Sequence, residues 1–587
     1  MIKLQKTLQD IVTKISHLFN AAGLPSVRKV SLAGIISISL LSGGGMVMNA
    51  QAKKAPCPVP PMGWNSYDCY NFNVNEKQVM ENAHYLASLK KYGWEYCVVD
   101  FIWWIPFQSK SPYDCNQYGN WNKGNIDQYG RFMPDTLRFP SAKGGKGFKA
   151  LADSVHNLGL KFGLHLMRGV PRMAVRSRMP IYGYPGKTCA DAADTTSKCA
   201  WLDWMWGAKN DSAGQKYITS MISLCNDWGV DYVKVDDLSA GQYGYHGPEV
   251  VMYGKAIAEQ PREIVFSTSP GATPVNQSNH ISQYANMWRL VNDFWDVDYS
   301  GNKNWNDITN AYNVSESWRA TSLKWGQGFW PDVDMLPFGH LALCGPVWNP
   351  RYSLSTLSKG EHRLIFLLWC INNGPLMYGG NMPDNKNDPF YDSLMTNTDA
   401  LFVNQHGIKA RLLKSQSTGT PIWTATHPLD TTTKFVLFSN TSGSQQTLSV
   451  NLTSIGFAAN QAVPVKNIWN GASLNTATGT FTQTIPSHDA YLYALGNAPL
   501  VWPTTAIQAP TAIQKQVTTS SRNVFFTTGD RFVIPASFAG KTVKVSAFTP
   551  GGRLLNTVVT RERSVQLYKS GNMQGKRAAF VKVTDAR

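Results

Sequence analysis

Between residues 58 and 403 the chain repeats one pattern. A short apolar run is followed by a longer stretch with apolar residues at helical spacing. The runs are GWNSYDCYNF, YCVVDFIWW, KFGLHL, DYVKVDD, IVFSTS, MWRLVND, WPDVDML and PLMYGG. Stretches such as EKQVMENAHYLASLKKYG and GFKALADSVHNLGL lie between them. Such runs read as buried strands, and the stretches between them as helices that cross back over the sheet. Eight such units over about 350 residues predict a (β/α)8 TIM barrel spanning 58–403.

Near residue 405 the pattern changes. TKFVLFSNTS, QTLSVNLTSI and HDAYLYALG alternate apolar and polar positions and are broken by Gly, Ser, Thr and Asn. This predicts an antiparallel β-sandwich over 404–497. The linker NAPLVWPTTAIQAP follows, and then a small additional C-terminal β domain over 510–587, rich in basic residues. Carbohydrate binding, surface retention and sorting are all open for that last piece.

Composition narrows the class. A chain of 587 residues is too long for one core, and 43% hydrophobic with 16% charged residues describes a globular protein. The 20 Trp suit a sugar-binding cleft, whose flat rings stack on indoles, and suit a large barrel core equally well. A net charge of +17 points first to nucleic acid or an anionic surface. Its distribution argues otherwise: residues 1–52 carry roughly +4 and residues 498–587 roughly +10, leaving about +3 on the middle. The barrel is near neutral, which fits an uncharged substrate and no nucleic acid. Cell-surface association through the basic C-terminal domain stays open, as does the oligomeric state.

The N-terminus reads as a signal peptide over 1–52. Arg28 and Lys29 precede an apolar run of about a dozen residues, and Ala50-Gln51-Ala52 gives a small-x-small cleavage pattern. A secreted, periplasmic or cell-surface protein follows, with an N-terminal anchor as the alternative. Nine Cys then make disulfides permissible, and Cys189 with Cys199 is the expected loop bridge. No Cys or His cluster has metal-ligand spacing, so no metal or cofactor is expected.

The chemistry concentrates in two runs. Along DYVKVDD, strand alternation puts Lys234 and Asp236 on one face and the valines on the other. Along MWRLVND, it puts Arg289, Val291 and Asp293 together. A buried cation and carboxylate cost desolvation unless paired or used, and two such strands converge on one interior. Two carboxylates with cationic neighbours are what a glycosidase needs: one attacks the anomeric carbon, the other protonates the leaving oxygen. Asp236 beside Lys234 suits the nucleophile. Asp293 suits the acid less well on charge alone, because Arg289 favours its ionised form. Asp237, Asp296 and Asp298 are neighbouring carboxylates that read as surface or hydrogen-bonding groups. Asp332 and Asp334 in WPDVDML share a face, and either hold sugar hydroxyls or cap a turn. Asp100, ending YCVVDFIWW ahead of Trp103 and Trp104, reads as a hydroxyl acceptor. His165 in KFGLHL lies on a buried face.

These motifs resemble glycoside hydrolase family 27, the α-galactosidase and α-N-acetylgalactosaminidase family, over roughly 58–497. PPMGWNSYDCY resembles its first-strand motif, YVKVDD its nucleophile motif, WRLVND its W-R-x-x-x-D motif, WPDVDML its W-N-D-P-D-M-L, and LLWCINNGPLMYGGNM its eighth-strand segment. The resemblance implies metal-free double displacement with retention. It gives Asp236 as nucleophile and Asp293 as acid/base, with Trp64, Asp100, His165, Lys234, Ser269, Arg289 and Asp334 around the sugar. It implies removal of terminal α-D-galactosyl residues. Departures widen that choice. Phe101 stands where the family often has a second Asp holding the 4- and 6-hydroxyls, which admits β-L-arabinopyranosides. Ser269 and Ala272 resemble the small pair of the α-N-acetylgalactosaminidase branch, and isomaltosyl release is a further family activity. Leu238 replaces a family Cys, and an inactive carbohydrate-binding protein is the reading of another class.

Overall fold

The computed structural model describes residues 57–106, 124–199, 204–239, 244–298, 301–323, 325–343 and 351–501, plus six strands between 524 and 585. The expected signal peptide lies outside the described residues. So do Cys115 and Cys344.

Eight parallel strands form one sheet: β1 Met62–Asn65, β2 Tyr96–Val99, β3 Lys161–Met167, β4 Tyr232–Asp236, β5 Val265–Thr268, β6 Met287–Arg289, β7 Trp330–Asp332 and β8 Leu376–Tyr378. Neighbours in sequence are neighbours in space, and β8 pairs with β1. The ring closes where Leu336, just past β7, bridges Tyr378. All eight apolar runs supply a barrel strand. Each is only three to seven residues long, because the polar end of each run leaves the sheet to build loops at the rim.

Helices between the strands have clear local causes. Asn75 accepts from the Gln78 amide and Gln78 reaches back, a capping box that starts Glu76–Leu89. Val79, Ala83 and Leu86 of that helix are buried at the expected spacing. Asp211 caps Ser212–Trp228, which stops at Gly229 in the left-handed region (φ 84°). After β3 the chain detours through three short antiparallel strands, Val170–Pro171, Ala193–Lys198 and Met205–Ala208.

Residues 408–495 form a six-stranded antiparallel sheet with a two-stranded sheet, Gln446–Asn451 with Thr480–Ile485, over it. Val436, Phe438, Leu448, Val450, Phe481 and Tyr493 fill the space between. The opposite face of the large sheet, with Trp423, Phe435, Leu437 and Leu492, joins the same apolar core as the barrel helices. Helix Lys359–Ile371 lies at that seam, with Arg363 Nε donating to Asp489 Oδ1 at 3.0 Å. The terminal unit is separate: a four-stranded antiparallel sheet and a two-stranded one.

The expected Cys189–Cys199 bridge is not formed. Cys189 remains a buried thiol whose Sγ donates to the Tyr129 carbonyl. Among the described residues no helix is long and apolar enough to cross a membrane.

Candidate functional site

The inward positions of the barrel are legible from its two apolar clusters. Tyr96, Val98, Tyr232, Val265, Met287, Trp330 and Met377 form the interior cluster. Two residues further along each strand, at the C-terminal rim, the inward positions become polar. Asp100 follows β2, His165 is on β3, Lys234 and Asp236 on β4, Ser267 on β5 and Arg289 on β6. Ser269 and Asp334 lie just beyond the ends of β5 and β7. The register sets His165 beside Lys234, and Lys234 beside Ser267.

Asp236 is nearly enclosed, with 12% of its side chain exposed. Its Oδ2 is 2.8 Å from His165 Nε2, and its Oδ1 accepts the Asp237 amide at 2.6 Å. With Nε2 protonated, His165 donates to Asp236 and presents a bare Nδ1, which has no hydrogen-bond partner among the described residues. His165 therefore supports a carboxylate from within the wall.

Lys234 bonds across to Asp100, Nζ to Oδ2 at 3.1 Å. Asn65 donates to the same oxygen at 2.7 Å, and the Phe101 amide to the other at 2.8 Å. Burial opposes ionisation of Asp100, yet Lys234, with the Phe101 amide and Asn65, holds it down at about 2. Burial likewise works against the Lys234 charge, and Asp100 and Asp334 overcome it, leaving its pKa above the ordinary lysine value. The pair is charged at any working pH.

The second group centres on Arg289, which is buried. Its Nη2 reaches Asp334 Oδ2 at 2.7 Å and Asp293 Oδ1 at 3.2 Å, and Nη1 reaches Ser269 Oγ at 3.5 Å. Asp334 has φ 79° and also accepts the Phe294 amide at 2.8 Å. It thereby pins the loop that carries Asp293. Burial pushes Asp334 up to about 6 against the pull of Arg289, with Asp293 adding to the rise.

Two expectations need correction. Asp293 is not on a strand: β6 ends at Arg289, and Asp293 stands on the following loop with 59% of its side chain exposed. Trp64 does not face the interior. Its sheet neighbours Cys97 and Tyr378 belong to the shell between strands and helices, whereas those of Gly63, Tyr96 and Met377, belong to the interior. Trp64 is fully buried there, with its indole N–H on the Gly380 carbonyl at 2.9 Å. Of the two readings open for Asp237, surface or hydrogen-bonding, the structure gives the second: it is buried in an ion network with Arg168. Asp296 is a buried acceptor for the Thr356 amide, and Asp298 closes a turn onto Asn302.

Two residues were missed. Tyr67 opens a single helical turn after β1 and is half-buried, its ring 6.4 Å from Phe101 and 6.0 Å from Trp295. Asp68 next to it is buried, and neither carboxyl oxygen has a hydrogen-bond partner among the described residues. Burial, reinforced by Asp334, raises its pKa well above the ordinary range. Asp68 fills the space that a side chain at Gly379, just past β8, would take. Both residues lie past the end of the strand, where period-two alternation no longer applies.

Comparison with known proteins agrees with this architecture. Residues 417–495 match the family model described as the alpha galactosidase C-terminal beta sandwich domain. An alpha-galactosidase of Oryza sativa subsp. japonica is 26% identical over 440 residues, covering 74% of this chain and 84% of that one. Among solved structures, a GH27 β-L-arabinopyranosidase from Geobacillus stearothermophilus is 38% identical with a TM-score of 0.68, covering 75% of this chain and 97% of its own. A proposed α-N-acetylgalactosaminidase from Bacillus halodurans C-125 is 34% identical with a TM-score of 0.65, covering 76% and 100%. With that identity over nearly the whole length of the relatives, this chain belongs to glycoside hydrolase family 27 and is an O-glycosyl hydrolase of the α-galactosidase type.

Proposed function

We propose that this protein is a retaining exo-glycosidase that removes terminal α-D-galactosyl residues by double displacement, with Asp236 as nucleophile and Asp293 as acid/base. The observation that carries the reading is the contrast between the two carboxylates. Asp236 is held rigid by His165 and the Asp237 amide at the rim of β4. Among the described residues Asp293 is tethered at one oxygen, by Arg289, and 59% of its side chain is exposed. A nucleophile benefits from fixed aim at one carbon. An acid/base must reach the departing aglycone and then admit water, which suits an open position.

In the first step Asp236 forms a bond to the anomeric carbon as the bond to the leaving oxygen breaks. That oxygen takes the Asp293 proton. In the second step water gives its proton to Asp293 and its oxygen to the same carbon, releasing Asp236. Lys234, Asp100 and Asp334 are the groups that hold the ring hydroxyls, and Arg289 with Ser269 lies toward the reacting side.

A second reading, hydrolysis of β-L-arabinopyranosides, is favoured by Phe101. Its buried ring packs edge-on to His165 at 5.3 Å and offers no hydrogen bond beside Asp100. That sugar is galactose without its exocyclic carbon, so it loses nothing there. The test is a panel of nitrophenyl α-galactoside, β-L-arabinopyranoside and α-N-acetylgalactosaminide, with the first-formed product followed by NMR. Turnover of the α-galactoside with retention is expected. A product of inverted configuration sinks the mechanism, and turnover of only another glycoside moves the assignment to that sugar.

A further inference from the structure

Behind the rim of β4, away from the reacting face, lies a sealed ion network. Arg168 directly follows β3. Its guanidinium bonds Asp237 through Nε at 2.9 Å and Nη2 at 2.8 Å, and Glu249 through Nη1 at 2.6 Å. Nη1 also reaches Ser197 Oγ at 3.0 Å. Glu249, on helix Gly247–Ala258, accepts the Ala208 amide with its other oxygen at 2.8 Å. Arg168, Asp237 and Glu249 are all buried. Gly207 leaves the room this needs: a Cβ there would sit 2.8 Å from Arg168 Nη1.

The cost of such a network is high, and replacement by apolar groups usually costs no stability. Its presence calls for another reason, and its attachment points supply one. The main-chain N–H of Arg168 donates to the Asp236 carbonyl at 3.1 Å, while its side chain holds the Asp237 carboxylate. One residue thus grips both sides of the Asp236–Asp237 peptide. The N–H of that peptide is the group that donates to Asp236 Oδ1. Asp237 has φ 63°, a left-handed backbone that an Asp tolerates at a cost and does not adopt without support. In an ordinary extended conformation this amide would join the sheet ladder instead of turning back to its neighbour's carboxylate.

We infer that Arg168, Asp237 and Glu249 form a clamp that positions the nucleophile. They hold the 236–237 peptide so that its amide fixes the rotamer of Asp236 opposite His165. The inference rests on Asp236 being the nucleophile, as proposed above. None of the three touches substrate; they are positioning residues, and they link the aim of Asp236 to helix Gly247–Ala258 and the detour strands.

The test uses the full chain and whichever glycoside the panel shows it to hydrolyse best. Asp237→Gly keeps the amide and relieves the backbone strain but releases the grip. It is expected to lower kcat about tenfold with KM within about twofold, because aim is lost and binding is not. Asp237→Asn keeps an acceptor for Arg168 and tolerates the same backbone, and is expected to recover most of that loss. Glu249→Gln, at the far end of the clamp, should shift kcat in the same direction more weakly. Unchanged kcat in Asp237→Gly overturns the inference, as does an equal loss in Asp237→Asn. Activity retained by Asp236→Asn overturns the nucleophile assignment instead, so the two failures are separable.

Discussion

Two arginine–carboxylate groups stand at the same rim of the barrel, and they differ in what surrounds them. Arg168 with Asp237 and Glu249 is sealed on all sides. Arg289 with Asp334 and Asp293 is sealed at one end and open at the other, where Asp293 is 59% exposed. The chemical inventory is the same. In the sealed group both acids are bound to one buried guanidinium and neither reaches solvent, so the group transmits rigidity. In the half-open group the outermost carboxylate keeps an oxygen for something else. Which carboxylate is available for chemistry is decided less by residue type than by whether it opens to solvent: Asp237 is 2% exposed and Asp293 59%.

The sharpest way to break that comparison is at its open end. Asp293→Asn should lower kcat about a thousandfold on a glycoside with a poor leaving group, about 4 kcal/mol, while thermal unfolding stays where it is. A nitrophenyl leaving group, which needs less protonation, should recover part of the loss. If unfolding shifts as much as activity, Asp293 belongs with the sealed group. At the sealed end the effect should be of the opposite kind. Arg168→Met leaves two buried acids without their cation and should cost about 3 kcal/mol of stability by chemical denaturation at pH 7, with a smaller cost at pH 5, where Asp237 is protonated.

A pH titration sharpens the difference further. Burial pushes Asp237 up to about 6 against the pull of Arg168. The folded state therefore binds this proton more tightly than the unfolded chain does. The stability it confers is complete below the ordinary carboxylate pKa and is lost as pH rises through about 6. Between pH 4 and 6, Asp237→Asn should remove a decline of about 2 kcal/mol in the unfolding free energy. A slope identical in the two proteins would place the titration elsewhere. At the small end, Lys77→Ala breaks the exposed Lys77–Glu81 pair and should move stability by less than about 0.5 kcal/mol.

Much of this was legible in the sequence, and most of what was not lies where a strand ends. Wherever the chain is truly a strand, alternation placed the side chains: Lys234 and Asp236 do share the inward face of β4. Wherever the strand stops, the rule stops with it. MWRLVND reads as one strand of seven, but only Met287–Arg289 pair with neighbours, and Asp293 reaches the site from a loop pinned by Asp334. Tyr67 and Asp68 escaped notice because Ser66 ends the sheet and a helical turn resets their direction. Trp64 was misplaced for a different reason. Alternation separates it from Gly63 and Asn65 but leaves open which side is inward, and the register with Tyr96 and Met377 gives that side to Gly63. The Asp237 network was not legible, since its members sit on three elements: the pairing of β3 with β4 sets Arg168 beside Asp237, and the helix after β4 brings Glu249 back to them.

Helix Lys359–Ile371 carries a last consequence. From Leu364 to Ile371 every residue is buried, so this helix has no solvent-facing stripe. A barrel helix normally shows one side to water; here the sheet of 408–495 covers that side. The catalytic half cannot be cut free at residue 403 as a minimal enzyme, because its own outer wall would become a greasy surface. The sandwich is the lid on the barrel's flank, and the two must be made, purified and inherited as one piece.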